Sequence, residues 1–146
     1  MSKIFIFMPY SPFSGLGGGP VQSIKNLCDF LSEEIDITVL GPFKDLDGSI
    51  VINDKNFSKN KFPCEILFLH PFNLIKYLIE KRKNPVLYPT HIYFNSFFSF
   101  HGTILPLIFS LLTFRHSEIL IAPRGELQQL FRKTLKKKIY IVFFKI

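Results

Sequence analysis

A doubly wound α/β domain, with a mostly parallel and Rossmann-like sheet of about five strands, is the fold class this sequence predicts. Three observations predict it. Short runs that are apolar throughout, such as "KIFIFMP" and "EILIAP", recur along the chain, as expected of parallel strands covered on both faces. Stretches with an apolar stripe at helical spacing alternate with them. Gly, Pro or Asn punctuates the run ends, where a strand hands over to a loop.

The first strand is read at residues 3–9, closed by Pro9. The loop "YSPFSGLGGGP" follows, carrying four glycines in five positions from Gly15 to Gly19. Glycine there gives up packing and costs backbone entropy, so it signals positive φ or a very close neighbour. Pro20 suits a first helical position. Ile24, Leu27, Cys28 and Leu31 then recur on one face, which predicts a helix from 20 to about 33. Residues 36–42 read as the second strand, and 43–64 are polar and irregular with an Asp47-Gly48 turn.

The third strand is read at 65–71 and a helix at 73–83, with Leu74, Ile75, Leu78 and Ile79 as its apolar residues. Its basic end complements the helix dipole. A fourth strand is expected at 90–95 and a helix at 99–113, which Pro106 kinks or begins. The fifth strand falls at 118–123, and a basic helix closes the chain. The stretch 92–114 has the length of a membrane span, but Asn95, His101 and Pro106 divide it, favouring a strand and a buried helix.

Composition bounds the function. At 146 residues the chain has room for one domain with a true core, and 47% hydrophobic residues suit that. Two cysteines, Cys28 and Cys64, cannot make a disulfide framework or a zinc site, so a reducing cytoplasmic compartment is expected. The N-terminal run lacks the cleavage site of a signal peptide. The net charge of +7 is concentrated locally, and no recognition module accompanies it, so no nucleic-acid partner is expected. Five basic residues from Arg132 to Lys138 precede an apolar run. That tail reads equally as a peripheral contact with an anionic membrane or as a solvated helix before a buried segment.

In open parallel sheets, ligands bind beyond the carboxyl ends of the strands, near where the strand order reverses. "SGLGGGP", "NSFFS" and "APRGEL" all fall at such ends. The glycine loop is not a P-loop, since no Gly-Lys-Ser/Thr follows, and it departs from the dinucleotide fingerprint. Its amides at a helix start suit an anion, against the alternative of a ligand-free turn. Arg124 carries a planar fork suited to phosphate or carboxylate. Gly125 would admit a ligand to the backbone, and Glu126 could accept from hydroxyls, against the alternative of an Arg–Glu surface pair. Asn95 and Ser96 either orient a polar ligand or bond the backbone at a strand end, with the backbone role favoured. His70, His91, His101 and His116 show no ligand spacing, so no metal is expected and no catalytic group is assigned.

At "GGGPVQSIKNLCDFLSE", "YFNSFFSF" and "IAPRGEL", in this order, the chain resembles family 4 of the glycosyltransferases, in the N-terminal half of their GT-B fold. Members carry a Gly-Gly-Pro loop, an Asn-Ser segment after a middle strand and a Pro-Arg-Gly-Glu/Met block. The similarity runs from Lys3 to about Lys138. The resemblance implies a retaining enzyme that uses a nucleotide sugar as donor substrate and no other cofactor. Gly17, Gly18 and Gly19 would then approach the acceptor and the donor diphosphate, and Arg124, Gly125 and Glu126 would line the cleft. Arg124 stands where many relatives have a histidine. The family's Glu-x7-Glu block, which grips the donor, belongs to the second domain of the fold, so residues 1–146 are expected to form the acceptor-side domain, with the donor-binding domain supplied by a partner chain or missing. A sugar or lipid-linked acceptor would be bound in the cytoplasm or at the inner membrane face. Two other readings compete: a non-catalytic module that binds a membrane surface or a partner, and a nucleotide-binding α/β domain of another kind.

Overall fold

The computed structural model describes residues 2–51, 63–84 and 87–124. Gly125, Glu126 and the basic closing segment, on which several of the readings above fall, lie outside the described residues. Five strands alternate with helices: β1 (Lys3–Phe7), α1 (Gly18–Leu31), β2 (Asp36–Gly41), β3 (Glu65–Phe68), α2 (Pro71–Arg82), β4 (His91–Phe94), α3 (Leu105–Thr113) and β5 (Glu118–Ile121). The strands form one sheet in the order β3-β2-β1-β4-β5. Every neighbouring pair is parallel, with Lys3 opposite Asp36, Ile4 opposite His91, Thr38 opposite Glu65 and His91 opposite Glu118. This is the Rossmann-like α/β arrangement the sequence predicts.

Two hydrophobic layers cover the sheet, one on each face, because successive strand side chains point to opposite sides. Phe5, Phe7, Leu40, Ile92 and Phe94 meet Leu74 and Leu78 of α2 and Leu107 of α3. Ile6, Met8, Ile37 and Val39 meet Ile24 and Cys28 of α1 on the other face. The apolar runs of β1 and β2 therefore read as strands because both of their sides are buried. Phe7 and Phe94 stack with centroids 5.0 Å apart, and Phe114 closes the same layer edge-on to Phe5. Each such fully buried side chain is worth about 1.5–3 kcal/mol relative to exposure.

Four local differences from the sequence reading have physical causes. First, α1 begins at Gly18, two residues before Pro20, because Gly18 adopts φ +49° and turns the chain into the helix. Second, α2 buries Leu74 and Leu78 with Tyr77 packed between them, while Ile79 stays 46% exposed. Tyr77 holds the i, i+3, i+4 phase that Ile79 misses.

The third difference is the helix read over 99–113, which is two elements: a π-helical turn (Phe100–Ile104) and then α3. Ser99 caps that turn by accepting from the Gly102 amide at 3.0 Å, and Pro106 sits in the first turn of α3, where its missing N–H costs nothing. The fourth is that Cys28 and Cys64, both free thiols, pack in the same layer. A hydrogen bond with the Cys64 thiol beside it, and burial, push the Cys28 thiol up, as suits a core residue.

The most apolar helix explains the membrane-like hydropathy of the sequence. Leu107 and Ser110 of α3 face the sheet, whereas Ile108, Leu111 and Leu112 are about half exposed. Among the described residues, no helix is long and apolar enough to cross a membrane.

Leu78 is fully buried between α2 and the sheet. Leu78→Ala is expected to lower unfolding free energy by about 2–5 kcal/mol, through lost transfer energy and the cavity left behind. Ile79→Ala should change it by less than about 1 kcal/mol. Urea titrations of the two variants check the phase of α2.

Candidate functional site

The strand order reverses between β1 and β4, so the loops leaving these two strands part in opposite directions. The ladder runs one residue past the strands: Met8 N–H donates to Leu40 O at 2.8 Å, Asn95 N–H to Phe7 O at 3.0 Å and Ala122 N–H to Phe94 O at 2.9 Å. Because all strands are parallel, the glycine loop, Asn95–Ser96 and Pro123–Arg124 emerge at the same carboxyl edge. Side-chain parity then separates the two flanks of that edge. Met8 and Tyr93 belong to the α1 face, whereas Phe7 and Phe94 belong to the α2–α3 face.

The loop between β1 and α1 is held from below by the segment after β2. Ser11 N–H donates to Lys44 O at 2.8 Å. Asp45 reaches the loop directly: the Ser14 hydroxyl donates to one carboxylate oxygen, and the Gly15 amide donates to the other at 3.1 Å. Its own neighbour, Leu46, donates a further N–H at 2.6 Å. The Ser14 hydroxyl and the amides of Leu46, Leu16 and Gly15 hold the Asp45 carboxyl below the usual aspartate range. Asp45 thus takes, from within, one hydroxyl and one amide of the loop that the sequence reading offered to an anion. Sequence reading marked the nearby turn, which forms with Gly48 at φ +86° and a bridge from Lys44 to Ile50, but it passed over Asp45 itself.

The loop glycines divide by cause. Gly17 is buried, and a Cβ there would run into Val21 and lie 2.6 Å from the Tyr10 ring. Its bareness answers the protein's own packing. Gly18 needs its φ of +49°. Gly19 is exposed, and a Cβ there would meet nothing within 4 Å. The backbone open to a ligand is therefore that of Gly18 and Gly19, at the start of α1.

Arg124 leaves β5 with φ +49°, the one non-glycine residue with positive φ among the described residues. For an L-residue this region costs roughly 1–2 kcal/mol. The side chain turns back over β4: Nε donates to Asn95 Oδ1 at 2.6 Å and Nη2 to Tyr93 Oη at 2.8 Å. Asn95 is 2% exposed, and its Nδ2 donates to Met8 Sδ at 3.2 Å. A chain of contacts thus links the β5 loop, the β4 exit and the β1 exit on the α1 face. Sequence reading favoured a backbone role for Asn95; among the described residues its side chain bonds Arg124 and Met8 instead, and it orients Arg124. Tyr93 was not singled out from the sequence, although its alternation with Phe94 places it on this face. Gly125 and Glu126 lie outside the described residues, and among those described Arg124 forms no ion pair.

The other flank is closed by the protein itself. A cavity of about 40 Å³ lies over Phe7, Leu40 and Leu74, with His101 at its rim, enough for roughly one or two waters. Gly102 lets the π-helical turn touch Pro9, since a Cβ would sit 2.5 Å from Pro9 Cα. His91 pairs with Glu118 at 3.2 Å across β4 and β5, away from the loops. No group of three or more His, Cys, Asp or Glu side chains converges on a metal position among the described residues. Comparison of the chain with protein-family models, with curated proteins and with solved structures finds no match.

Two measurements check the loop. Gly17→Ala is expected to destabilise the chain by about 1–3 kcal/mol through overpacking. Gly19→Ala should stay within about 0.5 kcal/mol. Thermal melts distinguish them. Because the folded-state pKa of Asp45 is depressed, its contribution to loop order is complete above the ordinary aspartate value, about 3.9, and is lost as pH falls through the lower folded value. Amide exchange at Gly15 and Leu46 should accelerate over that acidic window in the native chain, and at neutral pH already in Asp45→Asn.

Proposed function

We propose that this chain is the acceptor-side domain of a retaining glycosyltransferase of the family 4 type, working with a nucleotide sugar bound by a second domain opposite it. The observation that carries the reading is the gathering of its motif-bearing loops. The glycine loop and Asn95–Ser96 leave one edge of a parallel sheet on either side of the reversal of strand order, and Arg124, leaving the same edge from β5, reaches back to Asn95 and Tyr93. A site of this kind offers amides at a helix start and a fixed cation, the two groups that stabilise a departing diphosphate. Sugar transfer also needs both substrates held in register, which one wall cannot do alone. Gly18 and Gly19 would face the sugar and phosphate through their backbone, and Arg124 would hold negative charge. No catalytic group is assigned.

A second reading has its own support: a non-catalytic module that docks on an anionic membrane or a partner through apolar surface. The half-exposed Ile108, Leu111 and Leu112 on the outer side of α3 favour it. Failure to float with anionic vesicles at low salt would count against its membrane form.

The decisive assay supplies a panel of nucleotide sugars to the full chain, alone and together with the product of the adjoining reading frame. Release of nucleoside diphosphate and labelled acceptor is expected only with the second domain. Arg124→Ala should lower kcat/KM by about tenfold or more, as for loss of a charged transition-state contact. Absence of transfer with every combination would overturn the enzymatic reading.

A further inference from the structure

The guanidinium of Arg124 has two edges, and among the described residues only one of them is used. Nε–H and one Nη2–H point the same way along the side of the group, and these are the donors taken by Asn95 and Tyr93. The end of the group, Nη1–H with the second Nη2–H, has no partner among the described residues. Both acceptors on the used edge are neutral, so no described residue cancels the positive charge they hold in place. Asn95 is a buried amide whose oxygen is turned outward by the Met8 sulfur behind it. The backbone of Arg124 is in the left-handed region, a conformation that the surrounding structure must impose.

We infer that Tyr93 and Asn95 are positioning residues that present the free end of Arg124 as a bidentate fork for the diphosphate of the ligand. The inference deepens the proposed function and rests on it for the nature of the anion. The geometry of the fork rests on the coordinates alone. A planar guanidinium fixed by two hydrogen bonds has lost its rotamer freedom beforehand, so a bidentate oxyanion is held at smaller entropic cost. Lysine offers a point charge with no fork and cannot replace it. Two sources share this chemistry, a nucleoside diphosphate and a diphosphate carried on a lipid acceptor.

The test is titration of the full chain with inorganic pyrophosphate at low salt, followed by ¹⁵N NMR at the Arg124 Nε and the Asn95 side-chain amide, with calorimetry for affinity. Both signals are expected to shift together. Arg124→Lys should weaken binding about tenfold despite keeping the charge, and Tyr93→Phe, a mild change on a half-buried ring, by about threefold. Lys76→Ala, on an exposed position of α2, should leave affinity unchanged. Thermal melts of each variant separate lost binding from lost folding. Equal binding by Arg124→Lys and the native chain, or an equal loss in Lys76→Ala, would overturn the inference in favour of diffuse attraction to a basic protein. Uridine diphosphate and geranyl diphosphate form the two source arms. Tighter binding of either than of pyrophosphate, weakened likewise in Arg124→Lys, supports the fork and names the source, and binding of neither removes the diphosphate assignment. Pyrophosphate binding without any sugar transfer would sink the transferase reading and leave the fork standing.

Discussion

Two adjacent parallel strands can be joined only by a segment that crosses one face of the sheet, and that crossing is right-handed. Most of this structure follows from that constraint. The chain goes one way from β1 to β2 with α1 on one face, then returns past β1 to β4 and β5 with α2 and α3 on the other. The reversal leaves the exits of β1 and β4 side by side with their loops parting. A layered core of aromatic and branched side chains stiffens the sheet behind them. Residues far apart in sequence, Met8, Asn95 and Arg124, become neighbours because the ladder fixes their heights at one edge.

The glycine loop shows how strongly the interior sets what looks like a ligand feature. Gly17 is bare because Tyr10 and Val21 occupy the space a side chain would need, and Gly18 because of its backbone angle. Asp45 supplies the loop with a carboxylate of its own, drawn in by the Ser14 hydroxyl and the Gly15 amide. An incoming anion therefore meets amides already partly satisfied at one end of the loop, with the helix start at Gly18 and Gly19 left open. The cation of Arg124, without an ion pair among the described residues, leaves the same carboxyl edge.

What was legible in the sequence were the features set by local rules. Apolar runs marked all five strands; for β1 and β2 the cause is burial on both faces, whereas β5 keeps its run with Leu120 half exposed. The stripe of Ile24, Leu27, Cys28 and Leu31 marked α1 for a similar reason. Choices made by tertiary contact were not legible. Tyr77 rather than Ile79 completes the buried side of α2, because the helix phase is set by the sheet beneath it. The π-helical turn at Phe100–Ile104 is fixed by Gly102 against Pro9, a contact across most of the domain. The bonds that make the site, Ser14 with Asp45 and Asn95 with Arg124, span 31 and 29 residues. No periodicity encodes them, so Asp45 and Tyr93 escaped notice while Arg124 and the glycines did not.

The exposure of Arg124 carries the argument one step further. A cation facing open water attracts an anion weakly, because a high dielectric and mobile ions screen it within about 10 Å. The same guanidinium under a second wall would act in a medium of far lower dielectric, where its pull on a leaving diphosphate is several times stronger. Its fixed orientation would then cost no reorganisation at the moment of reaction. A wall that pre-orients its charge but leaves it wet is poorly suited to hold a ligand tightly by itself. It is well suited to become strong on closure, when water is excluded and the departing group has nowhere else to put its charge.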